Sequence, residues 1–405
     1  MASLRHLGRA ENSAGPVKDE EKDMLALLSC NGGTVTTGEG PATRLLAATL
    51  HGVHIFERAP GEPWRLVDRK LIDYHISAIL HEPESGLLFA GGHYEAGLWV
   101  SEDLGENWTP YNEGLQSRHI YTLAAQQREE GTVLWLGTEP PMLYKSTDLG
   151  RSWTALPGML KVKNTDKWTF PPPPHVAHVK NVAFHPDRPD EIYICIEQGA
   201  LLKSDDAGET WDEVTGYESS EDFFYNDNHR VLIRPSDPDD FLMDGGEGLY
   251  RSAHGVWTHL TTRDDRIGYP DAMFLDPRNE NGVIMGGPQN PPRKWREQDT
   301  PMADPAVLYS ADGGATWETM GVGLPKIVGN IEAMGLHSFG DAFSLYAGTA
   351  TGEIFHSDDC GETWSLLAER LPPISKGGHY RWFLTDERRA EIEEELRKQK
   401  TAAVG

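Results

Sequence analysis

Ser204-Asp205-Asp206-Ala207-Gly208-Glu209-Thr210-Trp211 decides the fold, because its spacing of Ser, Asp, Gly and Trp returns along the whole chain. Five full copies stand at Ser101/Asp103/Gly105/Trp108, Ser146/Asp148/Gly150/Trp153, the octad quoted, Ser310/Asp312/Gly314/Trp317 and Ser357/Asp359/Gly361/Trp364. Two degraded copies, Ser252/Gly255/Trp257 and Gly61/Trp64, bring the series to seven tryptophans. An Asp in a turn accepts hydrogen bonds from backbone N–H groups just ahead of it, and the Gly supplies the positive φ that closes the turn. The Trp then opens the next strand and buries its ring between neighbouring repeats.

Outward from the octads, the Trp-to-Trp intervals are 44, 45, 58, 46, 60 and 47 residues, close to the period of a four-stranded propeller blade. Runs such as Gly97-Leu98-Trp99-Val100 and Ala200-Leu201-Leu202-Lys203 lead straight into an octad. Each is preceded by a run ending in small residues, as in Leu134-Trp135-Leu136-Gly137-Thr138. Short β-branched and aromatic runs between Gly-rich turns fit strands far better than helices. The pattern predicts an all-β chain, a single seven-bladed β-propeller of four-stranded antiparallel blades over residues 23–385. A polar arm over 1–22 precedes it, and a short charged helix or tail over 386–405 follows. The two long intervals place insertions at 161–174 and 288–305, rich in Pro and charge, which read as loops lying over one face. The first blade shows only three strands, within 44–69. Its inner strand comes either from 379–384, which would pair both chain ends and remove sheet edges, or from 24–29.

The octad resembles the Asp-box, or BNR, repeat of bacterial sialidases, the sortilin ectodomain, tandem-propeller xyloglucanases and a photosystem assembly factor. The resemblance implies that the octads lie on the face turned away from any active site. It assigns no chemistry of its own.

A formal charge of −26 argues against nucleic acid or an anionic membrane as partners, because phosphates are repelled over most of such a surface. A neutral or cationic small molecule is the easier ligand. Cys30, Cys195 and Cys360 are too few and too scattered for a disulfide framework or a thiolate zinc site. No apolar run approaches the roughly 18 residues of a membrane span. The polar residues 1–23 and the short apolar piece 24–30 do not read as a signal peptide, so the expected location is the cytoplasm. Oligomeric state is not legible.

In a propeller the inner strands line the central channel, and their starts lie opposite the octads. Reading down those starts gives His75, His119, His178 and His229 in four consecutive blades, with Asp271 in the sixth and Asn330 and Glu332 in the seventh. Aligning the later Asp-Pro, Arg-Pro and His-Pro corners matches His178 to Asp227 and sets His229 two residues further in; alternation along a strand keeps its parity. Converging neutral imidazoles suit a divalent transition metal (Zn, Fe, Cu or Mn). The competing reading is of unrelated histidines at strand starts. Four-histidine iron on a propeller axis occurs in carotenoid cleavage oxygenases, an analogy of geometry without sequence resemblance. The same rim collects His51, His93, Glu139, Glu197 and Glu247 from neighbouring loops. Of these, His93, Glu139, Glu197 and Glu247 are candidates to orient ligands or move protons. Arg118, Tyr225, Tyr269, Trp168 and Asp271 are candidates to bind substrate at the channel mouth.

The resemblance also raises a sialidase, which would require three converging arginines, a Tyr–Glu nucleophile pair and an Asp acid/base. Arg118, Arg230 and Arg381 sit beside inner-strand starts, but an arginine next to an inward His points away by alternation. The sialidase arginine-isoleucine-proline signature is missing, since Arg44 is followed by Leu45-Leu46. The expectation is therefore a metal-dependent enzyme acting on a small molecule at the channel mouth, of hydrolase, lyase or oxygenase type. The alternatives are a sialidase-like glycoside hydrolase without catalytic metal and a non-catalytic scaffold that holds a protein.

Overall fold

The computed structural model describes residues 24–31, 34–219, 222, 224 and 226–404. The arm expected over 1–22 and the candidate Tyr225 lie outside the described residues. Seven sheets form, six of four strands and one of five, and they are the seven blades of a β-propeller. In the fourth blade, for example, the strands His178–Phe184, Ile192–Glu197, Ala200–Ser204 and Asp212–Glu213 pair antiparallel in sequence order. The insertion after the third blade holds short 3-10 turns at Pro157–Lys161 and Thr165–Lys167, and the one in the sixth holds a helix at Pro292–Arg296. A charged helix, Asp386–Val404, ends the chain. No described helix is long and apolar enough to cross a membrane.

The octad closes as its residue types dictate. Ser204 Oγ donates to Asp206 Oδ1 at 2.8 Å and accepts from the Gly208 N–H at 2.9 Å. Asp206 also takes the N–H of Thr210 at 2.8 Å and its hydroxyl at 2.6 Å. Gly208 has φ of +89°, and a Cβ there would meet Leu156 of the preceding blade at 3.0 Å. Trp211 is buried in one core with Trp135, Leu156, Val179 and Ile194, so each octad seals one blade onto the last.

The ring closes differently from the first of the two options. Residues His379–Trp382 form a 3-10 turn, not a strand, and Leu25–Leu28 supplies the inner strand of the first blade. All four residues of Leu25–Leu28 are buried, as a strand packed on both faces requires. It runs parallel to its neighbour Arg44–Thr49, because the chain enters the channel from the octad end. At Asn31 it bridges the second blade, with the Asn31 N–H donating to Ser77 O at 2.8 Å. It then descends as Val35–Gly38 parallel to the inner strand of the seventh blade. The channel is thus plugged by its own N-terminal loop, whose Cys30 carbonyl accepts from Arg230 Nη2 at 2.8 Å. A cavity of about 190 Å³ lined by Val35, Leu123, Val182, Met273 and Met334 remains among the inner strands.

Candidate functional site

One backbone device organises the rim opposite the octads. In five blades the inner strand breaks register within its first few residues, between Ile76 and Ala78, Ile120 and Thr122, Val179 and Asn181, Asn228 and Arg230, and Ile331 and Ala333. Each break is a bulge, which re-aims the extra side chain. The extra residues are Ser77, Tyr121, Lys180, His229 and Glu332. Two residues before them stand His75, His119, His178, Asp227 and Asn330. The rim therefore has an upper and a lower tier, and His229 belongs to the lower one.

The tiers are knitted together. His75, His93 and His119 follow one another with ring centroids 4.3 and 4.6 Å apart, and Tyr121 stacks on His178 at 3.4 Å. Glu139 lies between two imidazoles, 3.4 Å from His119 Nδ1 and 3.6 Å from His178 Nδ1. Glu197 Oε2 takes His178 Nε2 at 2.7 Å and Lys180 Nζ at 2.8 Å. Burial pushes the Glu197 carboxyl up, but the Lys180 ammonium and the His178 hydrogen bond outweigh it and hold it well below the usual carboxylate range. Burial, then Glu197 and Glu139, raise Tyr121 far above an ordinary tyrosine, so it stays a neutral donor.

The C-terminal segment crosses the mouth as a strap. Ser375 O accepts from His75 Nε2 at 2.8 Å, Ser375 Oγ donates to Glu332 at 2.8 Å, and His379 Nδ1 reaches Glu332 at 3.0 Å. Lys376 is delivered against Asp271, which also lies 3.5 Å from Lys180 Nζ. Trp295, from the sixth-blade insertion, packs on His379, Trp382 and Phe383 and clamps the strap down.

The four histidines share this rim but form an arc. Among the described residues, ligand atoms lying within 4.8 Å of one another occur as two groups, Glu197/Asp227/His229 and His185/Glu191/Asp239. Neither contains more than one imidazole, because the bulge carries His229 a tier below His178, Glu139 stands between His119 and His178, and the His93 ring stands between His75 and His119.

The remaining candidates divide. Asp271 is buried between the two lysines, and Tyr269 is buried with its hydroxyl donating to Asp227 Oδ2 at 3.0 Å. Glu247 is taken up by the Phe224 N–H and Arg263. Trp168 packs over Gly199, while Phe170 from the same insertion edges onto His178 at 4.8 Å. Arg118 and Arg381 are exposed, and Arg230 is bound by the Asp271 and Cys30 carbonyls. The arginines do not form the carboxylate clamp a sialidase requires. Lys180, Tyr121, Asp227 and Lys376 complete the site without a sequence signal of their own, save that the match of His178 to Asp227 points to one of them.

A wider groove of about 690 Å³ lies beside the first blade, but its Arg44 and Arg58 are paired with Glu57, Glu106 and Asp358. The buried chemistry of the histidine rim outweighs its size.

Burial lowers His75 to about 4 and His54 to about 3. Both fall below the unfolded value near 6.5, so the unfolded chain binds the extra protons. The stability they contribute is complete above pH 6.5 and is lost as pH falls to about 4 for His75 and about 3 for His54. For His75 alone the loss reaches at most about 3 kcal/mol. Urea midpoints at pH 7.5 and pH 5 should differ accordingly, and His75→Gln should shrink the difference; an unchanged gap contradicts the assignment.

No protein-family model matches this sequence, and no curated protein matches it. Solved structures do. An ancestral GH74 enzyme aligns with a TM-score of 0.55 at 16% identity over 72% of this chain, and the Niastella koreensis GH74 enzyme with 0.56 at 18% over 82%. This chain spans only 38% and 54% of those two proteins. The WD40 β-propeller domain of Doa1 aligns with 0.54 at 10% identity, over 81% of this chain and 93% of its own length. These likenesses are of fold: the chain is a seven-bladed β-propeller, with a buried, charged site on the rim opposite its octads.

Proposed function

We propose that the chain is a metal-dependent enzyme acting on a small molecule at this rim, in a propeller whose five octads support membership of the Asp-box repeat class. The observation that carries the reading is the gathering of buried polar atoms without a hydrogen-bond partner: His93 Nε2, His119 Nε2, His178 Nδ1, His229 Nε2 and Asp227 Oδ1. A buried polar atom left unpaired costs about 1–3 kcal/mol, and such atoms are rare in native proteins. Five on one rim support a site completed by an ion and a ligand. A divalent transition ion there supplies a Lewis acid and an activated water. Glu139, set between His119 and His178, is placed to pass protons between the rim and solvent. The insertions and the strap exclude bulk water, which strengthens every charge interaction inside.

Elemental analysis of protein purified without chelator tests this reading. The expected result is about one transition-metal ion per chain, whose removal abolishes turnover. A metal-free protein that takes up no divalent ion sinks it.

A further inference from the structure

We infer that His229 Nε2, Asp227 Oδ1 and Glu197 Oε1 are the three protein ligands of a zinc-class divalent ion. His229 Nε2 stands 3.5 Å from Asp227 Oδ1 and 3.9 Å from Glu197 Oε1. His229 is 0% exposed, Asp227 3% and Glu197 4%.

In every one of the three, the other polar atom is already tied. His229 Nδ1 meets the Pro270 carbonyl at 2.6 Å. A carbonyl only accepts, so Nδ1 carries the hydrogen in the neutral ring and Nε2 keeps its lone pair. Asp227 Oδ2 accepts from the Tyr269 hydroxyl at 3.0 Å. Glu197 Oε2 is held by His178 and Lys180. What remains on each residue faces the other two. Three lone-pair atoms with no hydrogen between them repel unless a cation joins them, and outer hydrogen bonds of this kind are what fix the ligands of a metal. His229 Nε2 and Asp227 Oδ1 are buried with no hydrogen-bond partner.

The second close group shows the contrast. The backbone N–H groups of Asp187 and Arg188 donate to His185 Nδ1 at 3.1 and 3.0 Å, so its Nε2 carries the hydrogen and offers no lone pair. Arg188 already bridges Glu191 and Asp239. That group is a filled ion-pair cluster.

Spacing and donor type select the ion. Zinc bonds of about 2.1 Å in a tetrahedron set ligand atoms roughly 3.4 Å apart, whereas octahedral magnesium at the same bond length needs roughly 3.0 Å. The 3.5 Å between His229 and Asp227 fits the first. Three protein ligands leave one position open for water, as at a catalytic zinc. The inference rests on the metal-dependent reading of the rim and replaces the four-histidine set by a single imidazole with two carboxylates.

The test is a zinc titration of the chelator-stripped full-length protein against a chromophoric competitor, with circular dichroism to confirm folding. One equivalent is expected. Asp227→Asn and His229→Gln should weaken binding by about 100-fold or more, and Tyr269→Phe by about 10- to 100-fold. His75→Gln, and His54→Gln in the strand Gly52–Glu57 of the first blade, should leave it within about threefold, being outside the ligand set. If a ligand variant does not fold, Tyr269→Phe decides, because it keeps the ring and removes only the hydrogen bond. Zinc bound equally by Asp227→Asn, His229→Gln and Tyr269→Phe but lost from His119→Gln overturns the ligand assignment and leaves the metal-dependent reading standing. No zinc bound by the unaltered protein overturns both.

Discussion

Lys180→Met is expected to lower unfolding free energy by roughly 3–5 kcal/mol, the usual cost of stranding a buried charge. Lys180 is 1% exposed, with its ammonium 2.8 Å from Glu197 and 3.5 Å from Asp271. Methionine fills a similar volume but leaves Glu197 short of a countercharge, while Asp271 keeps Lys376. Adding Glu197→Gln to Lys180→Met should restore at least about 1 kcal/mol, because it removes the orphaned charge. Chemical denaturation in the presence of chelator measures both. A double variant no more stable than the single one contradicts the claim that Lys180 neutralises Glu197.

Leu28→Ala should cost roughly 2–5 kcal/mol, the range for an aliphatic side chain deleted from a core. Leu28 is fully buried in the inner strand of the first blade, in one cluster with Leu45, Ala333, Tyr346 and Ile374. It therefore joins the first blade to the last, where the ring closes. Val67→Ala, at a position 50% exposed in the outer strand of the same blade, should change stability by less than about 0.5 kcal/mol. Equal effects at the two positions would show that the strand Leu25–Leu28 does not close the ring.

Much of the fold was legible because its signal is local. Ser, Asp, Gly and Trp at fixed spacing specify a turn whose bonds stay within the octad, so blade number, insertions and the identity of the two faces follow from the sequence. That His75, His119 and His178 lie on the rim opposite the octads follows for the same reason. Closure of the ring was less legible. Residues 25–28 form a short apolar run that fits a buried strand, but nothing local shows that it pairs parallel, since that depends on the end from which the chain enters the channel.

The site was legible in outline only. Strict alternation gives the direction of a side chain until a bulge intervenes, and no residue type announces these bulges. Lys180 and Tyr121, each next to an inward apolar residue, could not be seen to share the rim with His178. The ligand role inferred for Asp227 depends on its standing where three other blades carry histidine, with His229 a tier below. Lys376 arrives on an irregular strap held by Trp295 on one side and by the Pro373 carbonyl accepting from the Leu50 N–H on the other, and no periodicity describes it.

The most direct measurement is an anomalous-scattering map, collected at the zinc edge, from a crystal of the full chain grown with zinc. It should show one strong peak within bonding distance, about 2.0–2.2 Å, of His229 Nε2, Asp227 Oδ1 and Glu197 Oε1, with a fourth position left to water. A peak in the His75–His93–His119 arc, or no ordered peak on this rim, contradicts that assignment.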